Sequence, residues 1–212
     1  PERRVEVLAV LLTAIAAALI LTLPDVTEST RPSPAIVIAV LAVGFAATEF
    51  SVFKFTFRRE SIRFSVSEIP LAFSLVYLAP GPAVVVRVLG YIAVVLFTLR
   101  LPLSKVALNV AMLAFEVALG FVVFRGILQS IGSDDTELVV AAIVTTAICG
   151  LVSSMIVSLA ISQFEGGLWS RIGTELRLAW WLFLVNATLA GMVLGLNLIS
   201  PYLVLVALVP LG

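Results

Sequence analysis

The chain has 212 residues, of which 61% are hydrophobic and 12% charged, against roughly 45–50% and 25% in an average soluble domain. Thirteen Lys and Arg balance 13 Asp and Glu, there is no histidine, and Cys149 is the one cysteine. This composition removes imidazole acid–base chemistry, Ser-His-Asp triads, His-ligated metals, an internal disulfide, Cys-cluster metal sites and a basic surface for nucleic acid. A mean hydropathy of +1.19 exceeds what a soluble fold of this size can hide, so lipid is the expected solvent for most of the chain. The sequence starts at Pro1 and ends at Gly212 inside an apolar run, which reads as a piece of a longer protein.

A polytopic helical bundle shows apolar runs of about 20 residues with charges collected between them. The first run is Val5–Leu23, too long for a signal-peptide core. The polar loop DVTESTRPSP, Asp25–Pro34, separates it from Ala35–Phe50. The period then changes. In SVFKFTFRRESIRFSVS, Ser51–Ser67, Val52, Lys54 and Thr56 alternate with Phe53, Phe55 and Phe57, and after RRES the alternation resumes with Ile62, Phe64 and Val66. A period of two in β-branched and aromatic residues predicts strands. The segment is read as a β-hairpin turning at RRES, its edges shielded by helices or water because open strand edges cannot face lipid. An amphipathic interfacial segment is the alternative.

Glu68–Ala79 is apolar but short, and APGP at Ala79–Pro82 breaks it. At 1.5 Å per residue it covers roughly 18 Å, about half a bilayer core. Further runs follow at Pro82–Leu99, Leu103–Leu128, Leu138–Phe164, Thr174–Ile199 and Pro201–Gly212, with QSIGSDDTE and EGGLWSRIG as links. The expected fold is therefore a single all-α polytopic membrane bundle over residues 1–212. It has about eight transmembrane segments (six to eight) and a hairpin-like insertion at 51–67 after the second.

Placing the N-terminus in the cytoplasm puts Arg3, Arg4, Lys54, Arg58, Arg59, Arg63, Arg100, Lys105 and Arg171 in inside loops, nine of the 13 basic residues, and only Arg31 in an outside loop. The positive-inside rule favours that orientation, and eight crossings return the C-terminus to the cytoplasm. The hairpin basics suit anionic headgroups of the inner leaflet.

A charge inside a span costs about 2.5–3.5 kcal/mol on insertion scales, so such residues face partners or a cavity. The candidates for ligand binding are Glu49, Glu68, Arg87, Asn109, Glu116 and Asn186. Glu49 closes the second span and Glu68 opens the third, which puts both beside the hairpin at the cytoplasmic side. Asn109 lies seven residues before Glu116, on the same helical face. A purely structural role in fixing helix packing is the competing reading. Arg125 and the Glu175–Arg177 pair are further charges in apolar runs. Trp169, Trp180 and Trp181 read as interfacial anchors, Cys149 as a small buried hydrophobe, and Gly191 and Gly195 as a GxxxG spacing for close helix contact, including contact between two copies. No nucleophile, metal cluster or phosphate loop accompanies Glu116, so no catalytic function and no cofactor is assigned.

The stretch EFSVFKFTFRRESIRFSVSEIPLAFSLVYLAPGPAVVVRVLG, Glu49–Gly90, resembles the N-terminal membrane sensor region of bacterial, especially actinobacterial, cyclic di-GMP signalling proteins. In those an FSxSEIP segment, here Phe64–Pro70, precedes a short helix and a Pro-containing break. LSKVALNVAMLAFEVAL (Leu103–Leu119), ISQFEGG (Ile161–Gly167) and the late pattern through Trp181, Asn186 and Pro201 are similar to later segments of that family. Met112 departs from it, standing where a polar residue such as Gln is expected. The resemblance implies a non-enzymatic input module of the bacterial inner membrane, homodimeric, with a GGDEF, EAL or HD-GYP output domain after Gly212. Its ligand would be a small or lipophilic molecule, or a membrane state. The rival expectations are a transporter or substrate-binding membrane subunit, and a structural anchor.

Overall fold

In a computed structural model the described residues are 2–23, 34–50, 53–57, 60–64, 66–98, 101–165 and 168–202. The chain forms seven helices among them: α1 (Glu2–Thr22), α2 (Pro34–Phe50), α3 (Glu68–Tyr77), α4 (Pro80–Thr98), α5 (Leu103–Ile131), α6 (Asp135–Glu165) and α7 (Leu168–Ile199). Two strands, β1 (Phe53–Phe57) and β2 (Glu60–Phe64), lie between α2 and α3 and pair antiparallel, from Phe53 opposite Phe64 to Phe57 opposite Glu60. The pairing thus runs further toward the turn than RRES as a whole implied and leaves two residues to connect the strands. The acidic residues of the 24–33 segment, Arg58, Arg59, Arg100 and the expected eighth apolar segment from residue 203 onward lie outside the described residues.

Five helices, α1, α4, α5, α6 and α7, contain stretches long and apolar enough to cross a membrane, and two shorter apolar helices, α2 and α3, accompany them. The chain is a multi-pass helical membrane bundle. Helices satisfy their own backbone groups, which lipid cannot, and their outward faces carry large apolar side chains such as Val10, Val43, Leu96, Phe97 and Met192. Small residues fill the interior, among them Ala16, Ala72, Ala83, Ala118, Ala141, Ala142, Ala187 and Ala190, and let helix backbones approach closely.

Local chemistry sets the helix ends. Pro34 and Pro80 open α2 and α4, where a missing N–H costs nothing. Gly132 closes α5 at φ 115° with its N–H on the Leu128 carbonyl at 2.9 Å, a left-handed conformation that glycine adopts without a Cβ penalty. Asp135 and Glu137 in the first turn of α6 complement its N-terminal dipole. They extend that helix three residues before the expected start at Leu138, and α5 runs three past Leu128. The EGGLWSRIG link is corrected more substantially: α7 is helical from Leu168, since nothing after the Gly166–Gly167 pair breaks a helix until Pro201.

Cross-contacts fix the helix directions. Glu116 of α5 faces Arg87 of α4, and Asn109, earlier on α5, faces Tyr91, later on α4. Gly120 faces Thr145 and Cys149, and Glu116 faces Ser153. Gly150 meets Phe183 while Gly191 and Gly195 meet Ile143 and Val139. Helices α4 to α7 therefore alternate in direction. Glu68 pairs with Asn186 and Tyr77 with Asn197, so α3 runs with α7 and against α4, and α3 and α4 form a helical hairpin turning at Leu78–Ala79. Helix α3 begins half-way along α7 and runs to its C-terminal end. It packs against α2, α4, α5, α6 and α7, and Pro70, Leu71, Ala72, Ser74, Leu75 and Val76 are buried.

The glycine pair of α7 is spent inside the molecule. A Cβ on Gly191 would collide with Ile143 of α6, and Gly195 lies against Val139 of the same helix. The GxxxG spacing therefore joins α7 to α6, not one copy of the chain to another.

Candidate functional site

The charged side chains converge half-way along α4 and α5. Arg87 is 4% exposed although it is a full cation. Its Nη1 donates to Glu49 Oε1 of α2 at 3.0 Å, and its Nη2 lies 3.5 Å from Glu116 Oε2 of α5. The guanidinium carbon sits 4.7 Å from the centre of the Phe45 ring, so the flat cation is sandwiched by charge at its edges and a π face on one side. Position explains the arrangement. Phe45 and Glu49 are one helical turn apart and share a face of α2. Gly90 on α4 then lets the α2 backbone approach: a Cβ there would stand 2.7 Å from Phe45 Cβ.

Glu116 is held from the other side by α6. The Ser153 hydroxyl donates to Glu116 Oε1 at 3.2 Å, and Cys149 Sγ lies 3.6 Å from the Glu116 carbonyl. Glu68, in the first turn of α3, accepts a hydrogen bond from Asn186 Nδ2 at 2.8 Å and is close enough to Arg87 and Glu116 to feel both charges. One guanidinium thus bridges two carboxylates, brought by α2 and α5. The centre needs this pairing, because an isolated charge in an apolar interior is far costlier than a bridged one.

Of the six sequence candidates, Glu49, Arg87 and Glu116 meet in one bridged centre, and Glu68 and Asn186 form a second pair that joins α3 to α7. That corrects the expectation that Glu49 and Glu68 merely flank the hairpin at one end of the bundle: both point into its middle, since α3 starts deep beside α7. Asn109 stands apart. Its Nδ2 donates to the Tyr91 hydroxyl at 2.6 Å, tying α5 to α4 beyond the charged centre. Three contributors escaped the sequence reading: Phe45, Ser153 and Tyr91. Phe45 and Ser153 carry a signal, each lying at a helical spacing from a named residue (Glu49 and Cys149), but Tyr91 is legible only once α4 and α5 are paired.

Two buried polar atoms at the centre, Arg87 Nε and Thr145 Oγ1, have no hydrogen-bond partner among the described residues. The described residues contain no group of three or more His, Cys, Asp or Glu arranged to hold a metal ion. Compared with protein-family models, with curated proteins and with solved structures, the chain matches none.

Proposed function

We propose that the chain is a membrane-embedded input domain of a bacterial signalling protein, in which a small or lipophilic ligand, or a change in the membrane, is read by the Arg87 centre. The observation that carries this reading is a guanidinium shared between carboxylates of two different helices inside an apolar bundle. Such a shared charge has more than one way to pair, and a two-state element is what coupling between sites requires. The resemblance of Glu49–Gly90 to sensor regions of cyclic di-GMP signalling proteins supports the same reading. Within it, both termini lie in the cytoplasm of the bacterial inner membrane, as the bias of the basic residues favours, and a homodimeric output domain of the GGDEF, EAL or HD-GYP kind follows. The domain itself is not an enzyme.

Native mass spectrometry of the protein extracted with its lipids tests the proposal. A discrete retained mass that disappears in Arg87→Ala and in Glu116→Gln supports a ligand-reading centre. Apo protein carrying only loosely held bulk lipid would replace it with a structural anchor. A second reading, a substrate-binding subunit of a transporter, has one observation in its favour: α3 is a broken half-helix in the interior, and discontinuous helices form substrate sites in transporters. Uptake of a solute by proteoliposomes would select it.

A further inference from the structure

Three carboxyl groups reach the middle of the bundle, and one cation answers them. Arg87 bridges two, Glu49 at 3.0 Å and Glu116 at 3.5 Å, which leaves one negative charge over at the bridged centre. The third, Glu68, stands outside that bridge. Among the described residues it makes no ion pair, and its side-chain partner is a neutral amide, Asn186 Nδ2 at 2.8 Å. An ionised Glu68 would therefore add a second uncompensated negative charge to an apolar interior. Such a group is costly to keep charged, and it is relieved by binding a proton.

The surroundings bear this out element by element. Of the helices packed on α3, α4 presents Arg87, α5 presents Glu116, α6 presents the Cys149 thiol and α7 presents Asn186. The charged group of α2, Glu49, is taken by Arg87. Burial is the strongest influence on the Glu68 carboxyl, and the charge of Glu116 acts in the same direction. The backbone amide of Glu68 itself, the more distant Arg87 and the Asn186 amide oppose them, and the carboxyl is pushed up to about 7. Access differs as well. Arg87 is sealed at 4% exposure, whereas Glu68 keeps part of its surface accessible, as a group that exchanges protons with water must. Ionisable side chains inside membrane proteins serve widely as proton sites.

We propose that Glu68 is a proton-binding site: the third carboxyl of the interior takes up a proton from water and returns it, while Glu49 and Glu116 remain bridged by Arg87. The site sits on the hydrogen bond that ties the first turn of α3 to α7, so its charge changes at the joint between these helices. The charge of Arg87 already reaches Glu68. A change in how Arg87 is paired would thus alter the hold of Glu68 on its proton. The assignment rests on α3, α7 and the charge balance, and stands apart from the sensor reading.

Infrared difference spectroscopy of the full chain in nanodiscs, taken across neutral pH, tests it directly, because a protonated carboxyl has a carbonyl stretch that a carboxylate lacks. Wild type is expected to lose such a band as the pH rises through about 7. Glu68→Gln should show no band, and Glu6→Gln, at an exposed position of α1, should keep it. Asn186→Ala retains the acid but removes the donor to Glu68 Oε2, so the band should persist and move. A second readout is the thermal midpoint. The folded protein holds this proton more tightly than free glutamate does, so the stability it contributes is full at acid pH and lost as the pH rises through about 7. That fall is expected in wild type and absent in Glu68→Gln. No band in wild type, a band that survives Glu68→Gln, or a band unmoved by Asn186→Ala would overturn the assignment. So would a midpoint as dependent on pH in Glu68→Gln as in wild type.

Discussion

Arg87 is the residue on which most of the interior polarity depends. Its removal leaves Glu49 and Glu116 facing each other without a cation, and breaking a buried pair in this way costs about 3–5 kcal/mol. Arg87→Ala is therefore expected to lower the unfolding midpoint in detergent strongly. Arg87→Lys should recover part of the loss, because an ammonium supplies the charge but not the planar fork that reaches two carboxylates and stacks on Phe45. A midpoint in Arg87→Ala equal to wild type would mean that the carboxylates find other compensation. The sequence made this residue legible through its cost: a charge inside an apolar run demands a partner. It did not make the partner legible. Glu49 lies 38 residues away and Asn186 lies 118 residues from Glu68, and nothing in the periodicity of α2 or α7 says which faces meet.

Glycines divide the elements into tight and open contacts, and three substitutions separate them. Gly90→Ala places a methyl group against Phe45 Cβ and, at 3.2 Å, against the Ala46 amide nitrogen, so α2 and α4 must part. Overpacking of this kind costs about 1–3 kcal/mol. Gly191→Ala should destabilise likewise, by pressing on Ile143 of α6. Gly126→Ala meets nothing within 4 Å and should be neutral or slightly stabilising, since alanine favours helix by about 0.5–1 kcal/mol. Thermal midpoints of the three variants in one detergent check this order. The elements were legible wherever length and apolar content speak, as in α4, α5 and α6. They were less so at the α6–α7 link, where the polar and aromatic residues after Gly167 read as a loop but continue a helix. The glycine pair of α7 misled for a related reason: a small-residue spacing announces a close contact without saying whether the neighbour is the same chain or another.

For the molecule as a whole, the internal use of Gly191 and Gly195 bears on assembly. Gly191→Ala is expected to weaken the fold and leave the ratio of monomer to dimer unchanged in native mass spectrometry. A loss of dimer with an unchanged melting temperature would mean that this face of α7 is exposed between copies after all. The composition announced the bundle, but the pairing of its helices was not visible in it. That pairing, α2 with α4 and α3 with α7, joins residues distant in sequence, and the side chains that set it look alike along every apolar run.

The central half-helix has a consequence for how the protein comes into being. Ten residues, Glu68–Tyr77, are too few to cross a bilayer at 1.5 Å each, so α3 offers the insertion machinery no span of its own. Both of its polar tethers, Asn186 and Asn197, are synthesised more than a hundred residues later. Until α7 emerges, the two hydrogen bonds that fasten α3 to it cannot form. The innermost helix of the finished protein is thus among the last to be secured. Chains arrested before Asn186 should remain open to protease between β2 and α4, and chains that extend past Asn197 should be protected there. Equal protection of the two would place the docking of α3 ahead of α7.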